Sequence, residues 1–360
     1  MQRSSRKCPG WIAALAILLA GIGITSAARA QAQTQGQGQG QAQAQAQAQS
    51  QLLKDPQWQV WADEGKVDEL DRASRARLQS RPDDAEGAIA QALVALADGE
   101  PQRIDEASHL VQRCIEQQPA QAGCYFAMAT IQGVEIMGGG NVLKALSLAG
   151  KVRGNLQRAL ALNPQLFDAR LALSQFYLKL PGIAGGSAAK ARELAEAIES
   201  SQPEQARLLR ARLAFNDKQL AEAERLLQAV KPGGDLVLQG ALRDAWYDLG
   251  MQLAFDKQYA HANAIFENLR RSYPRQAIGP FGLGRVAALQ GQFDEAINQF
   301  ERARPLAGSD KVPLDYRLGI ALMDKGDTVQ ARVVLERFVE RRKGTPANRE
   351  DARKRLAELG

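Results

Sequence analysis

From residue 243 the chain repeats itself at intervals of 34 residues, and a repeat of that length leaves little choice of architecture. The unit RDAWYDLGMQLAFDKQYAHANAIFENLRRSYP, residues 243–274, places Trp246, Leu249, Gly250, Tyr259, Ala262, Phe266 and Pro274 at positions 4, 7, 8, 17, 20, 24 and 32. The next unit puts Gly284, Gly291, Phe293, Ala296, Phe300 and Ala303 at positions 8, 15, 17, 20, 24 and 27. A third, after a one-residue slip, keeps Gly319, Gly326, Ala331 and Leu335 in register. Upstream, Ala211, Leu220 and Ala223 fit a fourth unit. The pairs Ala191 with Pro203 and Ala107 with Pro119, each twelve residues apart, mark two more. Residues 58–82 read as a degenerate opening pair and 347–358 as a charge-rich closing helix.

These residue types have a packing logic. Gly or Ala at position 8 and Ala at position 20 let the two helices of a unit approach closely, where a larger side chain would hold their axes apart. Aromatic side chains at positions 17 and 24 fill the gap between one unit and the next. Proline at position 32 ends the second helix, since it has no N–H to donate and crowds the preceding turn. Each pair leaves an apolar face bare until a neighbour covers it, so the array is the stable object. Composition agrees: aromatics are 6% and alanine is abundant, which suits closely packed helices better than a β-rich fold.

The pattern resembles the tetratricopeptide repeat family, most specifically over 243–276, 277–310 and 312–345 and more weakly toward the N-terminus. The resemblance implies an all-α fold, a right-handed α-α superhelical solenoid of stacked helix-turn-helix units over residues 55–360, with about seven helix pairs and the capping helix at 347–358. It also implies a docking surface for a partner protein or peptide. On the positions where this family usually holds ligands, along the inside of the superhelix, the sequence has Tyr247, Phe281 and Tyr316 at position 5, Arg212, Met251 and Arg285 at 9, Phe215 at 12 and Phe255 at 13. Aromatic anchors beside guanidinium groups suit peptide recognition. Core packing explains some of them equally well, and the sequence leaves both readings open.

Residues 1–30 read as a secretory signal. Arg3, Arg6 and Lys7 precede the apolar run WIAALAILLAGIGI, and Ala28-Arg29-Ala30 offers a small-x-small cleavage site. The run is short for a membrane span, so removal is the expectation and an inner-membrane anchor the alternative. Cys8 precedes the run and is therefore not placed for lipid attachment behind it. A periplasmic or secreted protein of the exported bacterial type, without stable membrane insertion after cleavage, is expected. Residues 1–30 carry four basic and no acidic side chains, so without them 46 Lys+Arg fall to 42 against 40 Asp+Glu and the net charge drops from +6 to +2. That removes the basic surplus on which a nucleic-acid surface would rely.

Residues 31–54 are expected to be a flexible tether. QAQTQGQGQGQAQAQAQAQSQ offers no large apolar side chain to offset the entropy of ordering. As a coil it would span roughly 25 Å. Self-association through its Gln-rich composition is the alternative.

Catalytic chemistry has little to draw on. The only histidines, His109 and His261, fall on second helices, and no Cys, His or carboxylate cluster has metal-ligand spacing. Nucleophile-elbow, Walker and dinucleotide patterns are missing, and Asp83-Asp84 suits a turn or cap better than an acid–base pair. No metal, cofactor or enzymatic activity is expected. Cys114 and Cys124 should lie on packed neighbouring helices. In an oxidising compartment they could form a disulfide; otherwise they are two small buried thiols, and geometry decides.

Two loops share the pattern GG-[N/S]-x-x-K-A: GGNVLKA at 139–145 and GGSAAKA at 185–191. The second resembles a phosphate loop, but GxxxxGK[ST] is absent and Lys190 falls inside the helix. Asn141 and Ser187 suit helix N-caps, with Gly139, Gly140, Gly185 and Gly186 permitting the turns before them. These residues are expected to start second helices and to form a rim on one edge of the solenoid, an anion at the free N–H groups being the alternative. The whole sequence reads as a non-enzymatic periplasmic adaptor. The alternative is an accessory carrier enclosing a small ligand or lipid.

Overall fold

The computed structural model describes residues 51–137, 142–340 and 345–359. The signal segment, most of the tether and the loop residues Gly139, Gly140 and Asn141 lie outside the described residues. Among those described, α1 (Pro56–Glu64) and α2 (Val67–Ser80) precede seven helix pairs, and no strand is present. The pairs are α3 (Ala85–Asp98) with α4 (Pro101–Gln117), α5 (Ala122–Met137) with α6 (Val142–Leu162), α7 (Phe167–Lys179) with α8 (Ala188–Glu196), and α9 (Pro203–Asn216) with α10 (Leu220–Ala229). They continue with α11 (Leu236–Phe255) and α12 (Tyr259–Ser272), α13 (Ile278–Leu289) and α14 (Phe293–Ala303), and α15 (Leu314–Lys325) and α16 (Thr328–Glu340); α17 (Pro346–Glu358) closes the array. The chain is an all-α helical solenoid.

Small side chains set the spacing within each unit. A Cβ added at Gly250 would lie 2.7 Å from the Phe266 ring, at Gly284 2.7 Å from Phe300, and at Gly319 2.5 Å from Leu335. Position 8 of the first helix is therefore the seat of the position-24 side chain on the second. Phe266 reaches across the unit boundary as well, since a Cβ on Gly282 would come within 2.1 Å of it. Two first helices have capped starts: Asp84 accepts from Gly87 N–H at 2.7 Å and Asp235 from Leu238 N–H at 2.9 Å.

The array curves because first helices also pack on first helices. α3 meets α5, α7 meets α9, α9 meets α11, α11 meets α13 and α13 meets α15, while each second helix packs mainly on the first helices flanking it. The layer with the closer neighbours is the inner, concave one. The ordered chain also reaches back into residues assigned to the tether. Leu53 is 0% and Leu52 6% exposed, and Leu52 packs beside Gly123 and Ile89, so these two residues belong to the packed array. Pro203, expected to terminate a second helix, instead opens α9, where its missing N–H leaves no bond unmade.

Candidate partner-binding groove

The residues expected to line the groove divide into three groups. Phe281 is 1% and Met251 6% exposed. Phe281 stacks on Tyr247 at 6.1 Å between ring centroids and meets Phe300 at 5.6 Å. These two residues hold units together rather than face a ligand, because the glycine-mediated approach of neighbouring helices encloses them. Tyr316 is likewise withdrawn: it lies on Phe338 at 5.4 Å and donates its hydroxyl to Asp351 of α17 at 2.8 Å. Arg212 is committed, its Nη1 3.4 Å from Asp248 and its Nη2 donating to the Ala241 carbonyl at 3.2 Å. Phe215 is half-buried, and Phe255 stands 57% exposed at the end of α11.

Arg285 and Tyr247 are brought together, with Arg285 Nη1 donating to the Tyr247 hydroxyl at 3.4 Å. Arg317, one residue after Tyr316, joins them, and the sequence reading passed over it. Its guanidinium lies 5.0 Å from the Tyr316 ring centroid, and its buried Nε has no hydrogen-bond partner. Burial and, next, repulsion from Arg285 lower the pKa of Arg317 below its ordinary value. Among the described residues no carboxylate lies within 4.0 Å of either guanidinium. Two guanidiniums without a carboxylate partner on adjacent first helices have the chemistry to pair with an anionic group. Position 6, not position 9 alone, was the signal that would have found the second one.

One turn back along α11 is a second charged cluster that sequence spacing could not reveal. Asp63 of α1 is 0% exposed and lies 3.7 Å from Arg243, which is 5% exposed. Lys311, 248 residues away in the chain, donates its Nζ to the Asp63 carbonyl at 2.8 Å and to the Ala62 carbonyl at 3.2 Å. Burial pushes the Asp63 carboxyl up to about 7, against the pull of Lys311 and Arg243. Burial likewise pushes Asp244 up to about 6 despite Arg212 and Arg243. Lys179, at the end of α7, is lowered by burial to about 8 while Asp248 pulls the other way.

The glycine loop at 185–187 is a closed turn. Gly185 N–H donates to the Gly182 carbonyl at 2.9 Å, Gly186 N–H to Pro181 at 3.1 Å and Ser187 N–H to Tyr177 at 2.8 Å. Ser187 caps α8, its hydroxyl accepting from Lys190 N–H at 3.3 Å. Those three N–H groups and that of Lys190 are thus taken within the turn. Gly186 is required by contact, since a Cβ there would lie 1.7 Å from the Leu180 carbonyl oxygen. Cys114 and Cys124 are joined as a disulfide with their Cα atoms 6.2 Å apart, between the last turn of α4 and the first of α5. His109 and His261 sit on α4 and α12 beside Asp105 and Glu224, away from the groove. Among the described residues no group of three or more His, Cys, Asp or Glu is placed to hold a metal. Two clefts, of about 290 and 280 Å³, are bounded by α2, α3 and α4 and by α10, α11 and α12, so neither is the inner groove.

Residues 314–344, which span α15 and α16, match the family model described as tetratricopeptide repeat. That match covers the last helix pair of the array. Solved structures of similar shape include the Cut9-Hcn1 hetero-tetramer of APC/C, at 15% identity and TM-score 0.43, covering 81% of this chain and 52% of that one. They include a tetratricopeptide repeat protein from Parabacteroides merdae, at 16% identity and TM-score 0.43, covering 73% and 94%. Human IFIT1, solved as a dimer with PPP-AAAA, is similar at 14% identity and TM-score 0.48, covering 82% and 69%. The chain spans about half the length of the Cut9-Hcn1 chain it matches. No curated protein sequence matches it. No helix among the described residues is long and apolar enough to cross a membrane.

Proposed function

We propose that this tetratricopeptide solenoid is a non-enzymatic scaffold that binds a partner protein or peptide along its inner face and seats an acidic group of that partner on Arg285 and Arg317. One observation carries the reading: among the described residues, two neighbouring guanidiniums on adjacent first helices have no carboxylate within 4.0 Å, whereas Arg212, Arg304 and Arg337 are paired. An acidic side chain would complete them through charge-assisted hydrogen bonds, with Tyr247 offering its hydroxyl and ring alongside. In this reading residues 1–30 direct export, and the bond between Cys114 and Cys124 belongs to an oxidising compartment. The carrier alternative gains no comparable support, because both clefts lie off the inner face.

The test is a peptide display selection against the full chain, followed by anisotropy titration of the selected peptides. Acidic peptides should emerge, and Arg285→Glu with Arg317→Glu should weaken them at least tenfold. A selection without acidic residues, or affinity untouched by the double variant, would reject the assignment.

A further inference from the structure

The inner face already has an occupant. α1 does not continue the stack as a regular first helix: its N-terminal end is fixed to α2 and α3, where Arg77 bridges Asp55 and Glu86 and lies 3.6 Å over the Trp58 ring. Its C-terminal end crosses to α11 and to residues 304–313, the turn between α14 and α15 that is one residue longer than the repeat requires. There Lys311 accepts the role of a C-cap, donating to the last carbonyls of α1 where the helix dipole is negative. Asp310 stands against Gly65, whose left-handed φ of 73° ends the helix. The 304–313 turn is itself braced, since Ala277 N–H donates to the Ala307 carbonyl at 2.9 Å and Ala307 N–H to the Arg275 carbonyl at 3.0 Å.

The two ends are held very differently. At the N-terminal end both guanidinium arms of Arg77 find carboxylates at 2.7 Å. At the other end Asp63 and Arg243 are nine-tenths buried or more, yet they stand 3.7 Å apart. Both carboxylate oxygens of Asp63, together with Arg243 Nη1, Asp244 Oδ2 and Gln59 Oε1, have no hydrogen-bond partner. Desolvated charge with incomplete bonding raises the free energy of the closed arrangement, and opening would return those groups to water. Such a contact is built to be left. What α1 presents there, the acidic turn Asp63-Glu64, also states the chemistry that this end of the groove accepts.

We propose that α1 is a releasable latch, which occupies the end of the inner face formed by Arg243, Asp244 and the 304–313 turn and yields it to a partner helix of the same chemistry, one that ends in an acidic C-terminal turn. It rests on the inner face being the binding surface, and its position one turn along α11 from Tyr247 puts it next to Arg285 and Arg317. Opening of the latch is read by native-state hydrogen exchange on the full-length protein. Amides 58–64 should exchange at least tenfold faster than those of α5 and α7, and Lys311→Glu, or the milder Lys311→Ala, should add a further tenfold while α5 and α7 stay unchanged. If amides 58–64 exchange only together with α5 and α7 in both proteins, α1 is an integral part of the stack and the latch is excluded.

Replacement is read with a fluorescein-labelled peptide of residues 54–66. It should bind the full-length Asp63→Lys variant, or Asp63→Ala should the first fail to fold by circular dichroism, at least tenfold more tightly than the wild type. Equal binding, or none to either, overturns the shared chemistry. Neither readout uses Arg285 or Arg317, so rejection of the acidic seat and rejection of the latch are separate results.

Discussion

Position 15 of each unit is where the chain turns from first helix to second, and the four units that keep the repeat register treat it differently. Gly291 and Gly326 take left-handed φ values of 73° and 92°, where no Cβ penalty arises. Lys218 and Lys257 take the same region at 63° and 60° with a side chain attached. An L-residue there is strained by about 1 kcal/mol, partly offset because glycine has more freedom to lose on folding. Lys257→Gly should therefore raise stability by about 0.5–1 kcal/mol in urea unfolding, and a neutral or negative result would show that the turn tolerates lysine without strain. A second residue-scale feature is Asp168, which is 1% exposed and whose Oδ2 has no hydrogen-bond partner. Burial, then the nearby Asp235 charge, pushes its carboxyl up to about 7. A folded pKa above the unfolded value means that the folded state binds more protons between about pH 4 and 7, so this group's contribution to stability falls as pH rises through that window. A displacement of about three pH units corresponds to roughly 4 kcal/mol. Asp168→Asn should flatten that slope, gaining most over the wild type above pH 7; parallel profiles of the two proteins would contradict the assignment. Nothing in the sequence announced Asp168, because its burial depends on helices that lie far along the chain.

At the scale of elements, a disulfide closes the joint between α4 and α5. Cys114 and Cys124, 5% and 0% exposed, span a sequence separation of ten residues. A loop of that length restrains the unfolded chain by about 3 kcal/mol in the chain-entropy picture. Reduction, or Cys114→Ala with Cys124→Ala, should lower the urea midpoint accordingly, and free thiols in the native oxidised protein would show that the bond does not form. The sequence placed the two cysteines on neighbouring helices because a turn is short-range; their separation came only from the helices' packing. The same division runs through the glycine loops. The N-cap role of Ser187 followed from residue type, but the capture of three loop N–H groups by the carbonyls of Gly182, Pro181 and Tyr177 depended on the path of the extended turn.

For the whole molecule, the solenoid brings its beginning and its later units together. Contact between residue 63 and residue 311 turns an open groove into one whose end is filled by α1 of the same chain. In the proposed latch, binding in this groove is tied to the free energy of opening α1, and apparent affinity falls by the fraction of molecules in which α1 stays docked. Repeat length, the glycine and alanine positions and the aromatic registers were legible because they follow from nearest-neighbour packing, which recurs every unit and leaves a periodic trace. The positions expected to hold ligands were legible only as places on a helix: Tyr247 and Arg285 remain together on the inner face, whereas Phe281, Met251 and Tyr316 are enclosed. By itself the sequence determined the helical array, since helix pairing is decided within one repeat. Which inner-face charges are paired, which are left uncompensated and which segment lies across them were decided by the tertiary structure, because superhelical curvature brings together residues separated by most of the chain.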